Sequence, residues 1–471
     1  MKSRLFVLPL LAMILLGAIV SSCGKDHKLL DVIPASVGQA GTIRVKQFFE
    51  EAGCKFDNGS VTVPAQLQGS ERFTGLVDFV AAVDASGSAD PNAVAWAADS
   101  RSNLYMTMLV NDRAKFKEAS AEKIEWADET GSFSCGKVGN MTVLLDDARV
   151  WLTDREPADA VKGVETFVKE AKDGSLASMT GLEQVLSADN LVNAVVRQEG
   201  DAKGKKGDKG ENPQLEATWA TLTLNVSDNK LVGNSSVIRA DGTPEPIKGL
   251  KAVNPAVLAY VPENFNFALG IGVTPEFDWS VLTGAISAAG GFQVNAMLQT
   301  VIPYLQSIDG TFFLAAGPAN QSAYDELDFG NWQFMAMVHL PQQKINDVIG
   351  MIRSSLFMAG VSPRQGADGM MIVPQYGMDL YIGNVDGYLA VGNIPFEPTR
   401  QNSLAPVFAG KDGAMTLNIP SMKVFGGSMP DFGMDLQIRM SADNTTGEVS
   451  LVGSDTPILQ AILSAMICSR R

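Results

Sequence analysis

Tyr105-Met106-Thr107-Met108 is echoed later in the chain by Phe334-Met335-Ala336-Met337. Each stretch is followed by a lysine and a large apolar residue, in Lys115-Phe116 and in Lys344-Ile345. The first residues of the two stretches, Tyr105 and Phe334, are 229 positions apart in a chain of 471 residues. A motif that returns at about half the chain length predicts an internal repeat.

Two further echoes lie on either side of this one, in the same order. The segment that begins at Val32 and contains Ile33-Pro34 resembles the segment that begins at Tyr260, 228 residues later. The segment that begins at Leu222 resembles the segment that begins at Leu436, 214 residues later. Three echoes in one order predict two tandem related repeats, because unrelated domains would not share the order.

The smaller spacing of the third echo indicates an insertion in the first repeat. Residues 199–212 read Glu-Gly-Asp-Ala-Lys-Gly-Lys-Lys-Gly-Asp-Lys-Gly-Glu-Asn and contain no large apolar side chain. Burial of such a segment would not offset its ordering entropy, so we expect a disordered insertion. The predicted boundaries are residues 29–250 for repeat 1 and residues 251–471 for repeat 2.

The pattern within the repeats predicts an α+β fold with antiparallel sheets and packed helices. Apolar and polar residues alternate in residues 220–226 and 434–440, and the turn formers Asp228-Asn229 and Asp443-Asn444 follow them. A helix is predicted after Glu156-Pro157, with one apolar face. A last amphipathic helix of about a dozen residues, too short to span a membrane, is predicted near the C-terminus.

The N-terminus has the three parts of an export signal. Lys2 and Arg4 precede an apolar run over residues 5–20, and two small residues stand before Cys23. The run of sixteen residues is shorter than the roughly 18 to 20 that cross a bilayer as a helix. We therefore expect residues 1–22 to be a cleaved lipoprotein signal peptide.

Val20-Ser21-Ser22-Cys23 resembles the lipidation site of Gram-negative lipoproteins, in which the cysteine carries three acyl chains. The resemblance implies that acylated Cys23 holds the protein in a lipid bilayer. Gly24 stands where an aspartate would retain such proteins in the inner membrane, which implies the outer membrane. Residues 23–28 would form a short lipidated tether. The pattern, including Lys25-Asp26, does not decide between the periplasmic and the extracellular face.

The chain also resembles an uncharacterised family of two-repeat lipoproteins from Bacteroides-type bacteria. The resemblance rests on the lipidation motif, on Ile33-Pro34 with the helix that ends at Ala52-Gly53, and on Asp386-Gly387-Tyr388-Leu389. It implies the two-repeat architecture over nearly the whole mature length. It implies no substrate, cofactor or catalytic residue.

Charge and composition narrow the class of partner. Residues 1–22 contain Lys2, Arg4 and no acidic residue, so their removal changes the formal charge from −15 to −17. A strongly acidic surface repels nucleic acid and anionic lipid, and we expect no nucleic-acid partner. The hydrophobic share of 46% is enough for a folded core.

Few residues offer conventional catalytic chemistry. Beyond the signal, the histidines are His27 in the tether and His339, which follows a predicted strand and is expected to serve as a capping or surface residue. Ser134 lacks the flanking glycines of a nucleophile elbow, because Ser132 and Gly136 occupy those positions. No pair of histidines or cysteines has the spacing of a zinc site, so no cofactor is expected.

Three cysteines remain after lipidation of Cys23. Cys54 and Cys135 lie in repeat 1 and could form a disulfide in an oxidising compartment. The alternative is that all three, with Cys468, are buried free thiols that pack as small apolar residues.

Carboxylates are the remaining source of chemistry. Asp325, Glu326 and Asp328 lie close to Tyr324 and Trp332. Such a cluster could bind calcium or flank a glycosidic bond, and it could equally be a solvated loop.

These observations predict an outer-membrane lipoprotein that binds or scaffolds a protein, peptide or glycan at the cell envelope. One alternative is a carboxylate-dependent enzyme acting on glycans. Another is a carrier of lipid or of another hydrophobic ligand, which would need a sizeable apolar cavity.

Overall fold

The structure is a computed structural model that describes residues 27–98, 103–138, 141–198, 217–279, 305–319, 331–366, 369–375, 378–398, 404–422 and 432–468. The fold is α+β with antiparallel strand pairing, as the sequence predicts. The described residues form two compact units. The N-terminal unit contains residues up to 245 together with residues from 455 onward, and the C-terminal unit contains residues 246–454.

The strands of the N-terminal unit form one antiparallel sheet and a separate hairpin. Their bounds are β1 (Gln39–Ile43), β2 (Lys55–Asp57), β3 (Ser60–Thr62), β4 (Ala89–Ala98), β5 (Leu104–Val110), β6 (Glu125–Thr130), β7 (Phe133–Val138), β8 (Met141–Leu145), β9 (Arg149–Thr153), β10 (Val192–Arg197), β11 (Thr218–Ser227) and β12 (Lys230–Arg239). The sheet order is β12-β11-β10-β1-β4-β5-β9-β8-β7-β6, and β2 pairs with β3.

Helices cover both faces of this sheet. They are α1 (His27–Leu30), α2 (Val45–Glu51), α3 (Glu71–Ser86), α4 (Arg113–Ser120), α5 (Pro157–Asp173), α6 (Thr180–Leu186) and a final helix (Ile458–Cys468), with a 3-10 turn at Leu176–Ser178. Successive strand residues point to opposite faces, so Tyr105 and Met106 lie in different cores. The Met106 core includes Phe116 of α4, and the Tyr105 core includes Phe167 of α5.

Local sequence signals explain where these helices begin. The hydroxyl of Ser70 accepts a hydrogen bond from the backbone N–H of Phe73, and Asp112 caps α4 in the same way. Pro157 occupies the first turn of α5, as the sequence predicts. The predicted apolar face of α5 is also confirmed, since Val161, Val164, Phe167 and Ala171 are buried.

The C-terminal unit contains a second antiparallel sheet. Its strands are β13 (Leu250–Lys251), β14 (Phe267–Val273), β15 (Gly310–Pro318), β16 (Trp332–His339), β17 (Arg364–Gln365), β18 (Met371–Gln375), β19 (Met378–Val385), β20 (Tyr388–Gly392), β21 (Gly413–Met422), β22 (Phe432–Met440) and β23 (Thr445–Val452). The sheet order is β23-β22-β21-β14-β15-β16-β20-β19-β18-β17, and β13 pairs with the end of β14.

Among the described residues of this unit, the helical elements are α7 (Gln342–Met358), α8 (Ala405–Phe408) and a 3-10 helix (Pro255–Tyr260). The 3-10 helix and α8 cover one face of the sheet, where Phe408 packs with Phe313 at a ring-centroid distance of 5.7 Å. Helix α7 packs on the other face through Ile345 and Val348. One end of this unit is therefore built from α7 and strands β17 to β19.

The final helix, α9 (Ile458–Cys468), groups with the N-terminal unit. It packs on α2 and β12, and Leu459 and Leu463 are buried in the Met106 core. This grouping differs from the predicted range 251–471 for repeat 2, because the apolar face of α9 completes the first core. In the parts of the chain that the structure describes, no helix is both long and apolar enough to cross a membrane. Residues 1–22, most of the tether at 23–28 and the insertion at 199–212 lie outside the described residues.

Candidate functional site

His339 belongs to a polar cluster at one end of the C-terminal sheet. Its Nδ1–H donates to the backbone carbonyl of Asp309 at 2.6 Å, so its Nε2 is the acceptor nitrogen when the ring is neutral. The ring packs edge-on against Tyr388 at a centroid distance of 5.4 Å. Asn254 donates to the Tyr388 hydroxyl at 2.8 Å. These contacts join the ends of β15, β16 and β20. His339 is half-buried and does not cap the following helix, whose N-cap is Pro341, so its role differs from the predicted capping or surface role.

Two pKa shifts in this cluster follow from local contacts. The hydrogen bond from Lys251 lowers the pKa of the Asp309 carboxyl. Burial, and then the hydrogen bond to Asp386, raise the pKa of Tyr260 to about 12. Thr311 is 1% exposed, and its hydroxyl accepts a hydrogen bond from the Asn254 backbone N–H. The Thr311 hydroxyl is therefore not accessible as a nucleophile beside His339.

Ser134 has charged neighbours that resemble the surroundings of a serine nucleophile. Arg113 donates to its Oγ at 2.7 Å and Lys117 at 3.3 Å, while the hydroxyl donates to Glu129 at 3.4 Å. The residue is 0% exposed, so a substrate cannot reach the hydroxyl. Arg113 also pairs with Asp147 at 2.9 Å. These hydrogen bonds and ion pairs thus connect the β6–β7 hairpin to α4.

The proposed disulfide between Cys54 and Cys135 is not formed. Both side chains are free, buried thiols. Cys54 lies in the Met106 core and Cys135 lies in the Tyr105 core, on the opposite face of the sheet. Burial raises the pKa of the Cys54 thiol to about 12. The structure therefore supports the alternative for these two residues, in which they pack as small apolar groups.

The remaining predicted site residues lie outside the described part of the chain. These are Cys23 and the acidic residues Asp325, Glu326 and Asp328. Among the described residues, no group of three or more His, Cys, Asp or Glu side chains could hold a metal ion.

A cavity of about 350 Å³ lies at the C-terminal end of α7. It is formed by the last turns of the helix, the segment that follows it and one residue of β18. The lining residues are Arg353, Phe357, Val361, Ser362, Pro363, Arg364, Gln365 and Met371. Two arginines and several apolar groups thus face one space, and none of the described residues that line it is acidic.

The end of α7 explains how this cavity forms. Ile352 and Leu356 are the inward side chains of the last turns, and they pack against the core of β18 and β19. Gly360 has a left-handed φ of 72°, which reverses the chain. The backbone N–H of Val361 then donates to the Leu356 carbonyl at 2.9 Å. Arg353 and Phe357, four residues apart, share the helix stripe that faces the cavity.

The two arginines at the cavity differ in whether an acidic side chain neutralises their charge. Arg364, on β17, donates to both carboxylate oxygens of Asp379. Arg353 forms no ion pair with any residue that the structure describes. In a chain with a formal charge of −15, this is a local concentration of positive charge beside apolar groups. An anion that carries an apolar group would complement it.

The end of α7 also exposes large apolar side chains to solvent. Phe357 is 84% exposed, Met358 is 80% exposed and Met351 is 48% exposed. Sequence reasoning did not single out these residues, nor Arg353 and Arg364. Their exposure could have been predicted from helical spacing, because all three lie outside the helix face that contains Ile345, Ile352 and Leu356.

Comparisons with known proteins add little. No protein-family model matches the chain, and no curated protein matches it. Solved structures titled as crystal forms IV, III and I of TP0453 are each 12% identical to it, with TM-scores of 0.26, 0.27 and 0.25. They cover 44%, 44% and 48% of this chain, and 79%, 78% and 81% of their own chains. Likeness at this level carries no information on function.

Proposed function

We propose that the mature protein is an outer-membrane lipoprotein, acylated on Cys23, that binds a ligand at the cell envelope. The signal pattern around Cys23 supports the anchor. The observation that carries the binding role is the cavity at the end of α7, where Arg353 and Arg364 stand beside Phe357 and Met371. Its volume of about 350 Å³ falls at the small end of ligand pockets.

The chemistry of the lining indicates the class of ligand. Guanidinium groups bind carboxylate and phosphate through paired hydrogen bonds, and the apolar walls favour a neighbouring hydrocarbon or aromatic group. The ligand would be a small molecule or peptide end that carries both features. A diacyl lipid would not fit a cavity of this size, so the ligand proposed for this cavity is smaller than a lipid.

A two-repeat architecture is part of the proposal. The ten strands of the N-terminal sheet and the ten of the C-terminal sheet, counted in the described residues and without β13, follow the same order along the chain and in space. Under this correspondence β1 matches β14, β5 matches β16 and β11 matches β22. The three sequence echoes lie on or beside those strands, which supports common descent.

The repeat correspondence also indicates why the site lies in the second repeat. Helix α4 follows β5 and has 8 residues, whereas α7 follows β16 and has 17 residues. When Lys115 is matched with Lys344, residues 350–358 extend beyond the end of α4. Arg353 and Phe357, which line the cavity, thus belong to an extension that the first repeat lacks.

The binding role can be tested on protein purified from its native envelope. Small molecules extracted from the wild type and from an Arg353→Gln, Arg364→Gln double variant would be compared by mass spectrometry. A ligand of the cavity should be enriched in the wild type and reduced in the double variant. Lys344→Gln, which removes one exposed positive charge earlier on the same helix, is the matched control. Equal recovery from all three proteins would refute the cavity as the binding site.

The anchor needs a separate measurement. The intact mass of the purified protein should correspond to cleavage before Cys23 with added acyl chains, and Cys23→Ser should lose those chains. A wild-type mass without acyl chains would refute the lipoprotein proposal and leave the cavity test unaffected.

A further inference from the structure

The exposed apolar side chains of the described residues are concentrated on one helix. Of the five large apolar side chains that are strongly exposed in the described part of the chain, three lie on α7, at Met351, Phe357 and Met358. Single exposed apolar residues are common on protein surfaces, whereas a cluster usually marks an interaction site. We call these three side chains the α7 tip.

The geometry of the helix separates the tip from its packed face. Met351 and Met358 are seven residues apart and therefore share one stripe, on the side opposite Ile352 and Leu356. Phe357 extends from the last turn, just before Gly360 reverses the chain. Neither Met351 nor Met358 lines the cavity. Met351 and Met358 thus form an exposed surface outside the cavity, whereas Phe357 belongs both to the tip and to the cavity lining.

The charges around the tip differ from those of the protein as a whole. Residues 348–363 contain no acidic residue, and Arg353 is their single charged side chain. The chain has a formal charge of −15, which would repel an anionic bilayer over most of its surface. At the tip that repulsion is weaker, because the nearest acidic residue earlier on the helix is Asp347, one turn before Met351. The cation Arg353 stands beside aromatic and thioether side chains. Interfacial helices combine these same features.

We propose that the α7 tip inserts into the headgroup and acyl boundary of a lipid bilayer. The occupant is the lipid surface, because a protruding helix end with three apolar side chains suits a deformable medium better than a rigid protein groove. This inference rests on the proposed lipid anchor, which keeps the tip at high effective concentration near a membrane. A contact too weak to bind membranes alone would therefore be occupied in the anchored protein.

Photo-crosslinking of the acylated, full mature protein tests the proposal. Benzoylphenylalanine is placed at Met358 or at Met351, which leaves the cavity residues unchanged. The protein is reconstituted into vesicles of phosphatidylethanolamine and phosphatidylglycerol and irradiated. We expect a lipid adduct at both positions, several-fold more abundant than at Glu165, an exposed residue of α5 that serves as the control.

The results of this experiment distinguish a membrane contact of the α7 tip from the lipid anchor at Cys23. Equal adducts at Met358 and Glu165, or a covalent dimer without a lipid adduct at Met358, would overturn the membrane contact. A second measurement is hydrogen exchange of residues 351–358, which should slow when vesicles are added and should not slow in a Met351→Ser, Met358→Ser variant. If the protein carries no acyl chains, the anchor fails. Slowed exchange of residues 351–358 at a high concentration of added vesicles would then still support the membrane contact, and unchanged exchange would overturn it.

Discussion

Arg364 donates from a single nitrogen, Nη2, to both carboxylate oxygens of Asp379, at 2.6 Å each. The two residues lie on β17 and β19, on either side of β18. Asp379 thereby neutralises part of the positive charge at the cavity and holds Arg364 in place. The pair is exposed, so its effect on stability is small while its effect on the local potential is direct.

Removing the acid should strengthen the binding of anions. We expect Asp379→Asn to tighten the binding of phenyl phosphate, an aromatic anion that suits the cavity, by a few-fold, because the amide carries no competing charge. Unfolding free energy should change by less than about 1 kcal/mol. Isothermal titration calorimetry and chemical denaturation measure the two effects. Weaker binding in Asp379→Asn would show that the carboxylate positions Arg364 more than it competes.

Arg353 should be the stronger determinant of anion binding. Arg353→Gln is expected to lower the affinity for phenyl phosphate several-fold and to reduce its dependence on salt concentration, since one cation is lost. Lys344→Gln should leave both quantities unchanged. Titrations at low and high ionic strength provide the comparison. Identical behaviour of the two variants would place the anion elsewhere.

Cys54 should make stability fall at high pH. The thiol has a pKa of about 12 when folded, against roughly 8.5 in an unfolded chain. Above the lower value the unfolded state loses its proton first, so unfolding free energy should fall by about 1.4 kcal/mol per pH unit until the folded pKa is reached. Cys54→Ala should remove this slope. Denaturation of the two proteins between about pH 7 and 10 gives the difference, and parallel curves would contradict the prediction.

Lys251 should control the ionisation of Asp309. Lys251→Met is expected to raise the pKa of the Asp309 carboxyl towards its ordinary value, because the donated hydrogen bond is lost. The pKa of Asp309 is lower in the folded protein than in the unfolded chain, where it is near 3.9, so ionised Asp309 stabilises the fold. This stabilisation is fully present above the unfolded-state pKa and is lost as the pH falls through the folded-state pKa. A carboxyl NMR titration, assigned with Asp309→Asn, measures the shift. An unchanged pKa in Lys251→Met would contradict the pairing.

Alanine substitution at two glycines should change the stability of the protein in opposite directions. A Cβ on Gly181 would lie 2.0 Å from the backbone nitrogen of Gly242, so Gly181→Ala must displace the turn against which α6 packs. We expect a loss of about 1 to 3 kcal/mol. Gly75, inside α3, has no atom within 4 Å of an added Cβ, and Gly75→Ala should stabilise by about 0.5 to 1 kcal/mol. Thermal unfolding of both variants distinguishes the two cases.

Local features of the fold were predictable because their signals are local. The predicted strand 220–226 lies within β11, and Asp228 and Asn229 turn the chain with φ of 50° and 57°. The buried face of α5 followed from helical spacing alone. The cavity was not predictable, because it joins α7, the segment after it and β18. Exposure of Phe357 also depends on which side of α7 meets the sheet.

Under the proposed repeat, the sequence echoes fall on or beside matching strands but not at matching positions. Ala40 on β1 and Ala268 on β14 are 228 residues apart, the spacing of the first echo. Across the first sheet, Ala40 pairs with Ala97, which pairs with Tyr105. Across the second sheet, Ala268 pairs with Ala315, which pairs with Met335. Tyr105 therefore corresponds to Met335, one residue beyond its echo at Phe334. A shift of one residue exchanges the two faces of a strand. When both faces of a strand are apolar, sequence similarity cannot detect a shift of one residue.

The position of α9 in the N-terminal unit has a consequence for biogenesis. Residues 455–468 are the last described part of the chain to be synthesised, yet Leu459 and Leu463 complete the core around Met106. The first unit to leave the ribosome is thus the last to be finished, and more than two hundred further residues must be synthesised before it can close. A premature stop near Pro457 would expose the apolar surface of that first unit and make it a substrate for proteases.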